Sequence, residues 1–113
     1  MAGTPADEGV EKIVLKDVPA NAEDYESWRY AASAQILASA KDSVSAMVYL
    51  QSVEDLSIDF ATLGTMLPVE QTRLDVRVFA AVAIAAKGQD KIFDMIRSRA
   101  TFGCGRQALR ILD

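Results

Sequence analysis

The sequence predicts an all-α fold, a compact bundle of about five helices with an extended N-terminal arm. Three observations carry this. Apolar residues recur at three- and four-residue spacing through most of residues 21–113, the period of an amphipathic helix. Residues suited to helix ends punctuate those stripes: Asn21, Asp42, Ser43, Ser57, Pro68 and Asp90 at starts, Gly64 and Gly88 at stops. No segment of that span shows the apolar–polar alternation of a half-buried strand.

The elements follow in order. Residues 1–20 hold Gly3, Pro5, Gly9 and Pro19 among acids and read as a flexible or extended arm. Within it, Lys12-Ile13-Val14-Leu15-Lys16 is short and apolar, suited either to packing on a neighbouring molecule or to a small β-element. Asn21 is a good N-cap, and Glu23, Asp24 and Glu26 place negative charge where the helix dipole favours it. The first helix is expected over about 22–40, with Tyr25, Trp28, Ala32, Gln35, Ile36 and Ser39 on one stripe. Asp42 or Ser43 caps a second, over about 43–52, with Val44, Met47, Val48 and Gln51 as its core face. Ser57 is expected to cap a short piece over Ile58–Leu63, and Gly64 to end it in the left-handed conformation.

Pro68 suits the first turn of a long helix whose core face is Leu74, Val78, Ala81, Val82 and Ala85, widened by Phe79 and Ile84. Apolar nearly all round from Val78 to Ala86, this helix is expected in the middle of the bundle. Gly88 ends it. The next runs over about 90–99, with Ile92, Phe93, Met95 and Ile96 inward and Arg97 and Arg99 at the C-terminal end, where cations are favoured. A last helix starts near Gly105 with Ala108, Leu109, Ile111 and Leu112 apolar. Because the chain closes on Asp113 without a C-cap glycine, residues 21–113 read as a helical domain taken from a longer polypeptide.

Composition narrows the chemistry. A chain of 113 residues, half apolar and a quarter charged, matches a single soluble globular domain. Its formal charge of −4 is unevenly spread. Residues 1–67 carry 4 Lys/Arg against 11 Asp/Glu, and residues 68–113 carry 8 against 5. Such a dipolar chain lacks the clearly basic face of a tight nucleic-acid binder. It suits either ordinary solvated helix faces or head-to-tail contact between copies. There is no histidine, hence no usual general base and no commonest metal ligand. The single cysteine excludes an internal disulfide, and a reducing, cytoplasmic setting is expected. No stretch reaches the roughly 18 apolar residues of a membrane span, and the N-terminus has acids where a signal peptide has bases.

The sites that invite a chemical reading are few. In Gly103-Cys104-Gly105, backbone amides at a helix start could hold phosphate, and a cysteine there could be activated. A Walker loop, however, needs a longer glycine run followed by Lys and Ser/Thr. A nucleophilic thiol needs a base, so a helix-linking corner is the expectation. Glu23, Asp24 and Glu26 fit the dipole better than acid–base work, and Asp55 and Asp59 supply too few oxygens for a metal. Arg97, Arg99, Arg106 and Arg110 form the one basic cluster, a solvated face, an intersubunit salt bridge or an anion contact. Tyr25, Trp28 and Tyr30 are core anchors or an interaction patch. No catalytic, cofactor or metal residue is assigned, and the chain is read as a non-enzyme.

Four segments together carry a family likeness. They are Pro19-x-Asn21-x-x-x-Tyr25-x-x-Trp28, Leu74-Asp75-x-x-Val78-Phe79-Ala80-Ala81-Val82-x-Ile84, Asp90-x-Ile92-x-x-x-Ile96-Arg97 and Gly105-x-x-Ala108-Leu109-x-x-Leu112. This order resembles the N-terminal capsid region of Gag proteins from long-terminal-repeat retrotransposons, the copia-like class above all, over about residues 19–113. The resemblance implies a capsid domain, or a domesticated Gag-derived one, that self-assembles into virus-like particle shells in the cytoplasm. It implies no active site, cofactor or small-molecule substrate. RNA contact would fall to parts of the polyprotein outside this sequence, since the zinc knuckle and basic tail are absent here. The candidate assembly surface is Ile13, Val14, Leu15, Tyr25, Trp28, Arg97, Arg99, Arg106 and Arg110. The alternative is a helical adaptor that seats a partner helix or peptide in a groove beside Trp28.

Overall fold

The computed structural model describes residues 12–65 and 69–113. They form six helices: α1 (Ala22–Ser39), α2 (Ser43–Glu54), α3 (Phe60–Leu63), α4 (Val69–Ala86), α5 (Asp90–Arg99) and α6 (Gly105–Leu112). Among the described residues there is no strand, so the all-α bundle stands. The expected Pro68 start of α4 and residues 1–11 of the arm lie outside the described residues.

Local chemistry accounts for the helix starts. The Asn21 side chain accepts from the Asp24 amide at 2.9 Å, and Asp42 accepts from the amides of Val44 and Ser45 at 3.0 and 3.2 Å. Each cap satisfies donors that the first turn leaves without an intrahelical partner. For α3 the expected cap was displaced by two residues. Asp59, not Ser57, accepts from the Thr62 amide at 2.7 Å. Ser57 instead turns back to Asp55, giving it both its amide and its hydroxyl. A carboxylate outcompetes a neutral hydroxyl for a helix amide because the charge strengthens the bond. Gly64 also differs from expectation: its φ is −81°, not left-handed. It is tied to small size instead, since a Cβ there would lie 2.5 Å from Gln107 Nε2.

α6 lies at the centre. It packs against α2, α3, α4 and α5, while α1 is joined to the bundle mainly through α2. The long helix α4 had been expected in that central place. Its predicted face of Leu74, Val78, Ala81, Val82 and Ala85 is buried, but Ile84 and Val76 on its far side are exposed. The core joins that face to Ile36, Ala46, Tyr49, Val53, Ile96, Ala108 and Leu109. On α5, Ile96 is buried and Ile92, Phe93 and Met95 are half-buried.

The described part of the arm packs on its own chain. Ile13 and Val18 are buried in the core. The Val18 amide donates to Ala85 O at 2.9 Å, the Gln89 side chain donates to Val18 O, and Trp28 Nε1 donates to Lys16 O at 2.8 Å. The arm therefore bridges α1 to the end of α4.

The largest departure from the sequence reading is α2. Its buried residues are Ala46, Tyr49, Leu50 and Val53. The expected core face of Val44, Met47, Val48 and Gln51 points outward, with Val44 72 % exposed. Both faces of α2 are apolar, so periodicity alone could not choose between them. Tyr49 decided it, because its hydroxyl has a buried partner on α4.

Candidate interaction surface

The corner containing Cys104 is closed. The Tyr49 hydroxyl donates to Asp75 Oδ1 at 2.6 Å, and the Arg106 amide donates to the same oxygen at 3.0 Å. The Arg106 guanidinium reaches Leu63 O at 2.5 Å, and the Cys104 thiol lies 3.5 Å from that carbonyl. All four side chains are buried, so α2, α4 and α6 and the end of α3 are joined through one polar knot. Such a knot is stable only when its members are satisfied. Burial holds the Tyr49 hydroxyl well above its ordinary value, with the Asp75 charge adding to it. Burial likewise pushes the Cys104 thiol up, against a lowering from the Gln107 backbone amide. A thiol shifted upward is a poor nucleophile at neutral pH.

The glycines of this corner serve packing. Gly103 has φ +87°, which L side chains rarely adopt. At Gly105 a Cβ would lie 2.6 Å from Val78 Cβ and 2.7 Å from Asp75 O. The helix-linking corner expected from sequence is what the backbone shows.

The arginine cluster is divided. Arg106 and Arg110 do not present a shared basic face. Arg106 is 5 % exposed. Arg110 is half-buried and donates to the carbonyls of Ser52, Val53, Asp55 and Ile58. It thus caps the end of α2, whose last carbonyls have no helical partner. A guanidinium satisfies several carbonyls at once because its donors form a planar fork. Arg97 and Arg99 alone of the four are exposed, at the end of α5. The sequence showed Arg110 as an exposed helical position because nothing local reveals a fold-distant set of bare carbonyls.

At the other end, Tyr25 and Arg29 hold the Asp113 side chain. The Tyr25 hydroxyl donates to Asp113 Oδ1, and Arg29 Nε lies 3.1 Å from it. Burial, then the Asp113 bond and charge, raises the Tyr25 hydroxyl above its ordinary range. Tyr25 also stacks on Trp28 with centroids 5.7 Å apart. Arg29 is buried, and no signal in the sequence pairs it with Asp113, which is 84 positions away.

Two open grooves stand out among the described residues. One, of ≈ 870 Å³, lies between the arm and α1, lined by Val14, Leu15, Pro19, Trp28, Ala31 and Gln35 among others. Of the three arm candidates, Ile13 is buried, Leu15 is half-buried and Val14 is exposed. The second, of ≈ 370 Å³, runs between α1 and α2, lined by Tyr30, Ser33, Ala34, Leu37, Met47, Leu50, Gln51 and Glu54. Val44 and Val48, also on α2, are exposed. Among the described residues no group of three or more potential metal ligands occurs. Asp55 and Asp59 are turn and cap residues, each held below the ordinary carboxylate value by hydrogen bonds, from Ser57 and Thr62 respectively.

Fold and site together define a helical bundle with a hydrogen-bonded polar knot in its interior and exposed apolar residues on α1 and α2. Comparison with family models, curated proteins and solved structures gives no match. No helix among the described residues is long and apolar enough to cross a membrane.

Proposed function

We propose that this chain is a structural domain that associates with copies of itself, of the capsid type found in Gag polyproteins. One observation carries the reading: the α2 stripe of Val44, Met47 and Val48 is exposed on a bundle whose own core is already filled. Exposed apolar surface arranged beside a groove marks an interaction face. The sequence resemblance supplies the kind of interaction, and the division of charge along the chain suits repeated contacts between identical units. The polar groups at the Cys104 corner serve the packing of α2, α4 and α6, so the reading assigns the domain no catalytic centre, cofactor or small-molecule substrate. Its cellular site in this reading is a cytoplasmic particle.

Light scattering across a wide concentration range tests it. Average mass should rise with concentration, and negative-stain microscopy of concentrated samples should show regular assemblies. A constant monomer mass up to about 1 mM, the level of very weak association, removes the reading.

The groove beside Trp28 favours a second reading, an adaptor that seats a partner helix or peptide. Trp28 is the only tryptophan, so its emission reports occupancy. A blue shift on titration with amphipathic helical peptides supports this reading, and an unchanged spectrum with every peptide at millimolar concentration removes it.

A further inference from the structure

Two of the exposed apolar features among the described residues differ in shape and charge. One is concave: the α1–α2 groove of ≈ 370 Å³, between Tyr30 and Leu37 on one side and Met47 and Leu50 on the other. Glu54 lines it, and Glu26, exposed, lies one helical turn before Tyr30. The other is convex. Phe102 is 93 % exposed at the α5–α6 corner, held edge-on against Phe79 with centroids 5.3 Å apart. Exposed Val76 borders the same corner, 3.7 Å from where a Gly103 Cβ would stand. Arg97 and Arg99, both exposed, precede Phe102 at the end of α5.

Charge follows the same division. Residues 21–55 carry six acids and two bases, whereas residues 69–99 carry four acids and six bases. Arg29, one of the two bases in the first set, is bonded to Asp113, and Asp75, one of the four acids in the second, is buried in the polar knot. The exposed balance is therefore more divided than the count. The two faces belong to different parts of the fold, since α1 is joined to the bundle mainly through α2 while the Phe102 corner links α5 to α6.

We infer that a second copy of this chain inserts its Phe102 corner into the α1–α2 groove, with Arg97 and Arg99 opposite Glu26 and Glu54. The inference rests on the self-association reading above and names the two faces that meet. Aromatic residues, Phe among them, are enriched at the cores of protein interfaces, where buried anchors fill pockets on the partner. The groove's ≈ 370 Å³ exceeds the volume of one ring, and the Phe79 contact orders the exposed Phe102 in advance, which lowers the ordering cost of insertion. Opposite charges at the rim favour this pairing, whereas two grooves facing each other would bring Glu54 against Glu54. A contact between two different faces is heterologous and repeats from copy to copy, closing into a ring or continuing as a filament.

Sedimentation velocity on the full chain tests this with wild type, Met47→Asp, Phe102→Asp and an equimolar mixture of the two variants. Both positions are exposed, so unchanged circular dichroism and unfolding midpoints confirm folding. Each variant alone should associate at least about tenfold more weakly than wild type, the scale of losing one interface anchor. The mixture should give a 1:1 dimer, because the intact Phe102 of one chain meets the intact groove of the other. Glu54→Lys mixed with Arg99→Glu should likewise associate more strongly than either variant alone. If wild type associates and Phe102→Asp associates equally well, or the mixture stays monomeric, the contact lies elsewhere and this inference falls while self-association stands. If Met47→Asp disrupts association while Phe102→Asp does not, the groove pairs with itself or with another face, which also overturns it. A wild type that stays monomeric throughout overturns the underlying reading, and this inference with it.

Discussion

Helices α6 and α2 reverse the usual relation between residue type and burial. In α6 the polar Arg106 and Gln107 are buried, while in α2 the apolar Val44, Met47 and Val48 face water. What separates them is the availability of partners. Arg106 and Gln107 meet carbonyls of Leu63 and Phe60 that the short α3 leaves open, and Gln107 also accepts the Thr101 amide at 2.6 Å. A buried polar group is tolerated when it is bonded. Of the outward residues of α2, Val44 and Val48 stay exposed and Met47 only edges the open groove that faces Tyr30 and Leu37. The interior of this protein is selected by satisfied bonds as much as by hydrophobicity, and the outward apolar residues of α2 are those the proposed self-association would use.

The most severe way to break the contrast is Asp75→Ala. It removes the acceptor shared by the Tyr49 hydroxyl and the Arg106 amide, leaving two buried donors and a guanidinium without the nearby charge. Loss of one member of a buried charged network costs about 3–5 kcal/mol, so urea unfolding should show most of the stability gone. A loss under about 1 kcal/mol, the value of a single ordinary hydrogen bond, would mean that apolar packing alone holds α6. Next in size is Gly105→Ala. The new methyl would sit 2.6 Å from Val78 Cβ and 2.7 Å from Asp75 O, so α6 must shift away from α4. Overpacking of this kind costs about 1–3 kcal/mol. The unfolding midpoint should fall accordingly, with helix content unchanged.

These two variants also mark where the sequence was legible. Helix positions were readable because their signals are local: Asn21 and Asp42 cap the amides expected of them, and α1, α2, α5 and α6 start where read. The inward face of α4 was readable because Leu74, Val78, Ala81, Val82 and Ala85 keep one period on a helix packed on that side. The face of α2 was not, since both sides are apolar and the choice rests on Asp75, 26 positions from Tyr49. Arg106 and Arg110 were unreadable for the same reason. Their partners are backbone carbonyls, which no residue type advertises. The Phe102–Phe79 pair and the α1–α2 groove likewise arise only when distant segments meet.

A smaller effect separates interior from exterior by pH. Tyr49 and Cys104 are both raised by burial above ordinary values of 10.0 and 9.0. In the unfolded chain they lose protons at those ordinary values, while in the folded chain they stay neutral. The unfolded state therefore releases protons first, and stability is intact below pH 9.0 and declines as pH rises through 9.0 to 10.0 and beyond. Melting temperature followed from pH 7 to 11 should stay flat and then drop. Cys104→Ala should delay the onset of the drop by removing the group that titrates first. A drop that begins equally early in that variant would assign it to other groups.

The smallest stability effect should come from the exterior, and it sharpens the comparison most. Met47→Ser and Val48→Ser replace apolar side chains that are already half or more exposed. Surface changes away from caps and buried networks usually stay within about 0.5 kcal/mol, and serine lowers helix propensity by a similar small amount. Urea midpoints of the double variant should thus lie close to wild type, in contrast to Asp75→Ala. Self-association should fall in the same double variant, because the groove loses Met47 and the exposed stripe of α2 loses Val48. If the double variant instead unfolds much more easily, this stripe belongs to the core of the single chain after all. The exposed face of α2 would then be part of what holds the bundle together, not a surface kept for a second molecule.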